Sequence, residues 1–246
     1  RDLDLILTEL ILADLVIVEN RFKRIDESYN KQPAMRKELE IEKKSLHRFH
    51  EALENNRPII STVPTPDEIN KYIRPYGLLS GKQMLGLANL SDLTDPQETA
   101  WLQELEEAGT RWNLPIVPMN AQLERDLQDF PLEEWDDYFS ASGLEGPARG
   151  RVIRESYRVL NLHSFLTCGP DEVRAWTIPI GMAAQPAAGK IHSDIERGFI
   201  RAEVIRYDDL MEYGSEEAVK KAGRLSAMGK DYRVADGDII NFRFNV

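Results

Sequence analysis

Two asparagines stand where a bound ligand would be met. Asn89 closes the short apolar run Gln83-Met84-Leu85-Gly86-Leu87-Ala88, and Asn120 closes a second, Leu114-Pro115-Ile116-Val117-Pro118-Met119. Leu90-Ser91-Asp92 follows the first and Ala121-Gln122-Leu123-Glu124 the second. Amide and carboxylate groups at the carboxyl ends of parallel strands are placed to bond the polar edge of a ligand, because open α/β sheets take ligands there. A tetrad Asn-x-x-Asp alone is a weak signal, since both residues are common in turns. Cys168 and His192, with Asp171 or Asp194, have the residue types of a nucleophile, its base and an orienting carboxylate. Nothing in their spacing brings them to one site, and a structural histidine is the simpler assignment. His47 and His50 lie three apart on a helical segment without the carboxylate-rich company of a metal pair. Glu133-Glu134-Trp135-Asp136-Asp137 reads as a solvated helix face around one buried Trp rather than a metal site. Lys190, Arg197 and Arg201 are candidates for RNA or partner contact, set against an ordinary charged face balanced by Glu196, Glu203 and Asp208.

The elements that must position these residues follow from hydrophobic periodicity. Leu3 to Val18 is densely apolar, but Asp4, Glu9 and Asp14 keep it short of the ~18 uninterrupted apolar residues a membrane span needs. From Glu19 to about Asn55 the apolar stripe is sparse: Phe22, Ile25 and Tyr29, then Asn30-Lys31-Gln32-Pro33, then Met35, Leu39, Leu46, Phe49 and Leu53. That pattern predicts two antiparallel helices joined by a tight turn. Arg57 to Ser80 carries four prolines and reads as a connector with one short helix near 67–72. Strand, helix over 96–112, strand, helix from 121 is the rhythm of a parallel α/β sheet. A long helix is expected over 145–161. Alternation at 172–178, 199–207 and 238–244, with helices around 185–191 and 216–222, predicts a separate small α+β domain. Its expected core includes Trp176, Phe199, Ile239 and Phe242.

Composition bounds the possibilities. A chain of 246 residues, 42% hydrophobic and 30% charged, is neither disordered nor of low complexity. A single cysteine excludes an internal disulfide and a cysteine-built zinc site, and points to a reducing cytoplasm. The net charge of −11 argues against a surface built throughout for nucleic acid. The imbalance is uneven: residues 164–246 carry 11 Lys+Arg against 13 Asp+Glu, so most of the excess lies in the first two thirds. The first residue is Arg1, no targeting pattern precedes the first apolar run, and a longer parent protein is expected.

Two further stretches carry a family resemblance. Ala187-Ala188-Gly189-Lys190-Ile191-His192-Ser193-Asp194-Ile195-Glu196-Arg197-Gly198-Phe199-Ile200-Arg201-Ala202-Glu203-Val204-Ile205 is one. The other is Gly229-Lys230-Asp231-Tyr232-Arg233-Val234-Ala235-Asp236-Gly237-Asp238-Ile239-Ile240-Asn241-Phe242-Arg243-Phe244-Asn245. They resemble the C-terminal TGS domain of the YchF family, the Obg-like ATPases of the translation-factor class of P-loop NTPases. Thr8-Glu9-Leu10-Ile11-Leu12-Ala13-Asp14-Leu15 looks like the segment that opens the family's helical insertion. The resemblance implies an α/β plus α+β chain. Residues 1–18 and 80–145 would be the back part of a parallel-sheet nucleotide-binding domain, and 19–79 a helical coiled-coil arm with its connector. Residues 146–163 would be a linking helix and 164–246 a β-grasp TGS domain. Asn89, Leu90 and Asp92 stand at the family's base-recognition motif, with Met119, Asn120 and Ala121 supporting the base from the other side. In related GTPases an Asn-Lys-x-Asp carboxylate accepts from guanine N1–H and the exocyclic amine, for which adenine offers no match. The family usually has Asn-x-x-Glu. Leu90 agrees with its missing Lys, whereas Asp92 departs from its Glu. ATP is therefore the first expectation, with GTP bound nearly as well. The resemblance further implies hydrolysis in the parent protein, Mg²⁺ accompanying the nucleotide, and ribosome or ribosomal RNA as partner, with no membrane and no DNA. No G-x-x-x-x-G-K-[ST] occurs, so the P-loop and switches are expected upstream, and this chain alone is expected to be inactive. The alternative is a non-enzymatic adaptor, a β-grasp module whose helical arm binds protein or RNA.

Overall fold

The computed structural model describes residues 2–169 and 172–245. The chain divides between Val152 and Ile153 into two compact units. Each is taken by itself.

In the first unit, the opening apolar segment and the first half of the expected hairpin form one unbroken helix, Asp2–Lys31. Pro33 cannot continue it, lacking an amide donor. After a short turn the second arm helix, Arg36–Glu54, runs back. Antiparallel pairing is fixed by Tyr29–Glu40, Asp26–Lys43 and Arg21–Glu42. Ile11, Val18 and Ile25 on one helix, and Leu39, Leu46 and Leu53 on the other, are buried and each seven residues apart. This is the repeat that keeps an apolar seam facing its partner along a helix pair.

The proline-rich connector is part of this packing. Ile59, Tyr72, Ile73 and Leu78 join the same core. Asp14, fully buried on the first helix, accepts from the amides of Leu79 and Ser80 at 2.8 and 2.7 Å, which ties the connector's end to the arm. The helical stretch 66–76 widens to a π turn over Ile69–Ile73, just before Pro75, whose ring cannot donate to the preceding turn. It ends at Gly77, whose φ of 68° lets the Leu78 amide fold back onto the Ile73 carbonyl.

Beyond the connector, strand β1 (Gly86–Asn89), the helix Pro96–Arg111 and strand β2 (Ile116–Met119) form a parallel crossover. The helix lies close on β2 at Gly109, where a Cβ would stand 2.5 Å from the Leu114 carbonyl oxygen. The register sets Gly86 opposite Ile116 and Asn89 opposite Met119.

The helix expected over 145–161 is Ala148–Val159, and it crosses the division between the units. In the second unit, β3 (Leu162–Cys168) starts inside the stretch expected to be linking helix. It pairs antiparallel with β4 (Val173–Pro179) and parallel with the last strand. With β5 (Phe199–Ile205), β6 (Ser226–Met228) and β7 (Ile239–Phe244), the order is β4-β3-β7-β5-β6. The helix Ala184–Gly189 lays three buried alanines on one face, against Phe165, Ile178, Val204, Ile240 and Phe242. Trp176 and Phe199 are partly buried at this core's margin. Ile239 packs on the other face with Ile205 and Val219. No helix among the described residues is long and apolar enough to cross a membrane.

Candidate functional site

The parallel crossover brings the two asparagine segments together. Asn89 ends β1, and the next amide, Leu90, donates to the Met119 carbonyl at 2.8 Å, continuing the ladder one step. The ladder then passes to side chains. Asn89 Oδ1 accepts from the Ala121 amide at 3.0 Å, and Asn120 Nδ2 donates to the Ser91 carbonyl at 2.6 Å. Asn120 Oδ1 also accepts from the Leu123 amide at 2.8 Å, capping the helix Ala121–Asp126. Asn120 is thus buried and spent on structure, while Asn89 and Ala121 are exposed and Leu90 and Met119 half-buried. Five of the six expected residues share one ledge at the carboxyl ends of two neighbouring strands.

Asp92 lies on the same loop, but its carboxylate turns into it. Asp92 Oδ1 accepts from the Thr94 amide at 2.8 Å and from the Thr94 hydroxyl at 2.7 Å. These bonds hold its pKa below the usual carboxylate range, the hydroxyl bond being the larger cause. A residue not anticipated from sequence completes the site. Glu98 Oε2 accepts from the amides of Ser91 and Asp92 at 2.7 and 2.8 Å, and Ser91 Oγ bonds to Glu98 Oε1. The Ser91 hydroxyl and the Asp92 amide lower the Glu98 pKa. The available signal was Asp95-Pro96-Gln97-Glu98, an N-cap with Glu at the third helical position. A cleft of about 330 Å³ opens beside the ledge, lined by Met119, Ala121, Trp135 and Arg149 among others.

The other candidates are dispersed. Arg201 reaches Glu203 at 2.8 Å, and Arg243 reaches the other oxygen of the same carboxylate at 2.9 Å. Both arginines depress the Glu203 pKa, Arg243 most. Arg197 does not share the strand with Arg201. It ends the helix Ser193–Arg197, where it pairs with Asp194, because the backbone enters β5 only at Phe199. Lys190 is exposed just after the helix Ala184–Gly189. Cys168 packs beside Ile205 and Ile239, with burial pushing its thiol pKa up, the opposite of an activated nucleophile. His192 caps a helix, its Nδ1 accepting from the Asp194 amide at 3.2 Å, and Asp171 lies outside the described residues. His47 stacks against Phe22. Among the described residues no group of three or more His, Cys, Asp or Glu could hold a metal ion.

Comparison with known proteins decides the kinship. The family model YchF-GTPase_C, described as "Protein of unknown function (DUF933)", matches residues 162–245. The whole chain aligns with the ribosome-binding ATPase YchF of Escherichia coli O157:H7 at 38% identity over 245 residues. The chain belongs to the YchF family. Other YchF-family relatives include the ribosome-binding ATPase YchF of Bacillus subtilis strain 168, 36% identical over 247 residues, and Obg-like ATPase 1 of Gallus gallus, 36% identical over 248. All of this chain is covered in each case. It spans 66% of the length of the two bacterial relatives and 59% of the chicken one. The solved structure of the Schizosaccharomyces pombe YchF GTPase superposes on 99% of the chain and 65% of its own, with a TM-score of 0.81 and 29% identity. The parallel and mixed sheets described above are thus those of a YchF GTPase fold.

Proposed function

We propose that this chain carries the base-binding part, helical arm and terminal sheet domain of an Obg-like nucleoside triphosphatase. The protein would bind and hydrolyse ATP, accept GTP, and associate with the ribosome in the cytoplasm. One observation carries this: Asn89 and Asn120 interlock at the carboxyl ends of two parallel strands, in a chain whose relatives are named ribosome-binding ATPases. Asn89 Oδ1 is already taken by Ala121, so its Nδ2 remains as a donor on an exposed ledge. Purine N7 is the matching acceptor, present in both adenine and guanine. Leu90 contributes through its backbone and Met119 and Ala121 flank the base. Mg²⁺ would accompany the phosphates, held by groups outside these 246 residues. Hydrolysis needs a backbone cradle, a lysine and a metal ligand around the β- and γ-phosphates, and the P-loop pattern that supplies them is absent from this sequence.

The second unit supports the same assignment. Its central strands β3 and β7 run parallel, each flanked by an antiparallel neighbour, with one helix across the face. This is the topology expected of a β-grasp TGS domain, and the antiparallel helix pair is that of a coiled-coil arm inserted before the base-binding strands. Calorimetric titration of ADP into the protein at its native length tests the site. Asn89→Ala should weaken binding at least about tenfold, or ~1.4 kcal/mol. Unchanged affinity would place the base elsewhere. The 246-residue chain alone should hydrolyse neither ATP nor GTP, and turnover that Asn89→Ala abolishes would overturn the division of labour proposed here.

A further inference from the structure

Three donors converge on the Glu98 carboxylate: the amides of Ser91 and Asp92 and the Ser91 hydroxyl. A glutamate at the third position of a helix ordinarily reaches back to the amide of its own N-cap. Here the Asp95 amide bonds instead to the Asp92 carbonyl at 3.2 Å, and Glu98 reaches past it to the loop after β1. Ser91 is then held from both sides, its carbonyl by Asn120 Nδ2 and its amide by Glu98. Asp92, the residue of the motif best suited to read guanine, has its Oδ1 committed to the amide and hydroxyl of Thr94, an Asx turn that closes the loop.

We propose that Glu98 is the positioning residue of the nucleotide-base loop: it fixes the backbone of Ser91 and Asp92, so that the purine is met by Asn89 and the loop backbone. The Asp92 carboxylate serves the turn and does not discriminate adenine from guanine. This rests on the base-binding role assigned to the ledge above. Without Glu98 the short loop between β1 and the helix loses its anchor, and a nucleotide must order it on binding. The groups that act on the phosphates are elsewhere, so the loss falls on affinity and not on turnover.

The test titrates ADP and GDP into wild type, Asn89→Ala, Glu98→Ala, Glu98→Gln and Asp92→Asn at native length, with kcat and KM for ATP measured alongside. Glu98→Ala should weaken ADP and GDP alike by about tenfold and raise KM correspondingly, with kcat within about twofold of wild type. Glu98→Gln, which keeps an accepting oxygen, should recover at least about half of that loss on a logarithmic scale. Asp92→Asn, which preserves the turn, should leave the ADP:GDP affinity ratio within about twofold. Wild-type affinity in Glu98→Ala, alongside weakened binding in Asn89→Ala, overturns the role of Glu98. A shift of about tenfold or more in the ratio for Asp92→Asn overturns the role given to Asp92. Unweakened Asn89→Ala would instead displace the base site itself. Should Glu98→Ala fail to fold, Glu98→Gln carries the comparison: kcat lowered with KM unchanged contradicts positioning, and KM raised with kcat unchanged supports it.

Discussion

Asn120 is the residue on which the two segments of the ledge depend. Its amide donates to the Ser91 carbonyl, its oxygen caps the following helix, and it is buried. Asn120→Ala removes a helix cap and strands a loop carbonyl together, which should cost ~1–3 kcal/mol in chemical denaturation. Loss below a few tenths would mean that water replaces both bonds. The carboxylates of the loop give a pH signature. Asp92 and Glu98 both titrate below their ordinary values in the folded protein. Their contribution to stability is therefore complete above the unfolded values, about 3.9 and 4.3, and disappears as pH falls through the depressed ones. Amide chemical shifts of Ser91, Asp92 and Thr94 should report titrations centred below the ordinary carboxylate values, about 3.9 for Asp and 4.3 for Glu. Movement centred above about pH 4.5 would contradict the bonding described. Asn89 and Asn120 were legible in the sequence because each closes an apolar run, and strand ends are where α/β sheets expose side chains. Glu98 was not. It meets its partners only after the chain has turned through Asp95 and Pro96 and brought it back, a relation with no period of its own.

At the scale of elements, the arm shows what periodicity conveys and what it omits. The buried positions Leu39, Leu46, Phe49 and Leu53 were readable as a stripe, and so was the Pro33 turn. The first helix was harder to delimit. Its apolar residues before Val18 are too dense to reveal the seven-residue seam of Ile11, Val18 and Ile25. The short helix expected near 67–72 in the connector is present and longer, running over 66–76 through a π turn that precedes Pro75, and Ile73 within it is buried in the arm's core. The strand β3 was partly hidden because only Leu160 and Asn161 separate it from the helix Ala148–Val159, with a left-handed Asn161 in place of a Gly or Pro signal. Leu46 is fully buried midway along the seam. Leu46→Ala should destabilise the first unit by ~2–5 kcal/mol, read as a shift of its denaturation midpoint. An exposed residue of the same helix that lies off the seam, such as Ile41, should tolerate the same change within ~0.5 kcal/mol. Equal effects at the two positions would show that the arm is not packed along this seam.

At the scale of the whole molecule, charge and packing separate along the chain. Residues 82–147 hold 3 Lys+Arg against 14 Asp+Glu, whereas residues 148–159 hold four Arg against one Glu. The stretch that carries the Asn89–Asn120 ledge therefore repels phosphate over most of its surface. Packing divides near the same place, between Val152 and Ile153. The core that joins Phe165, Ile178, Val204, Ile240 and Phe242 with the three alanines of the helix Ala184–Gly189 lies wholly within the second unit. Residues 153–246 should accordingly fold alone with one cooperative thermal transition. The boundary suggested by sequence, a start at Ser164, cuts into a central strand. It removes Leu162 and His163, which pair with Pro179 and Ile178, and Tyr157, whose hydroxyl meets Thr177 Oγ1 at 2.7 Å. Losing those partners leaves one end of β4, the edge strand of the sheet among the described residues, without its β3 neighbour, a penalty of ~1–2 kcal/mol. For a domain of this size that is a fall of at least about 4 °C in Tm. Both segments should therefore be expressed and melted side by side, followed by circular dichroism and by Trp176 fluorescence. A non-cooperative 153–246 would mean that its core needs the first unit. Coincident transitions would mean that the start of β3 contributes nothing to the sheet.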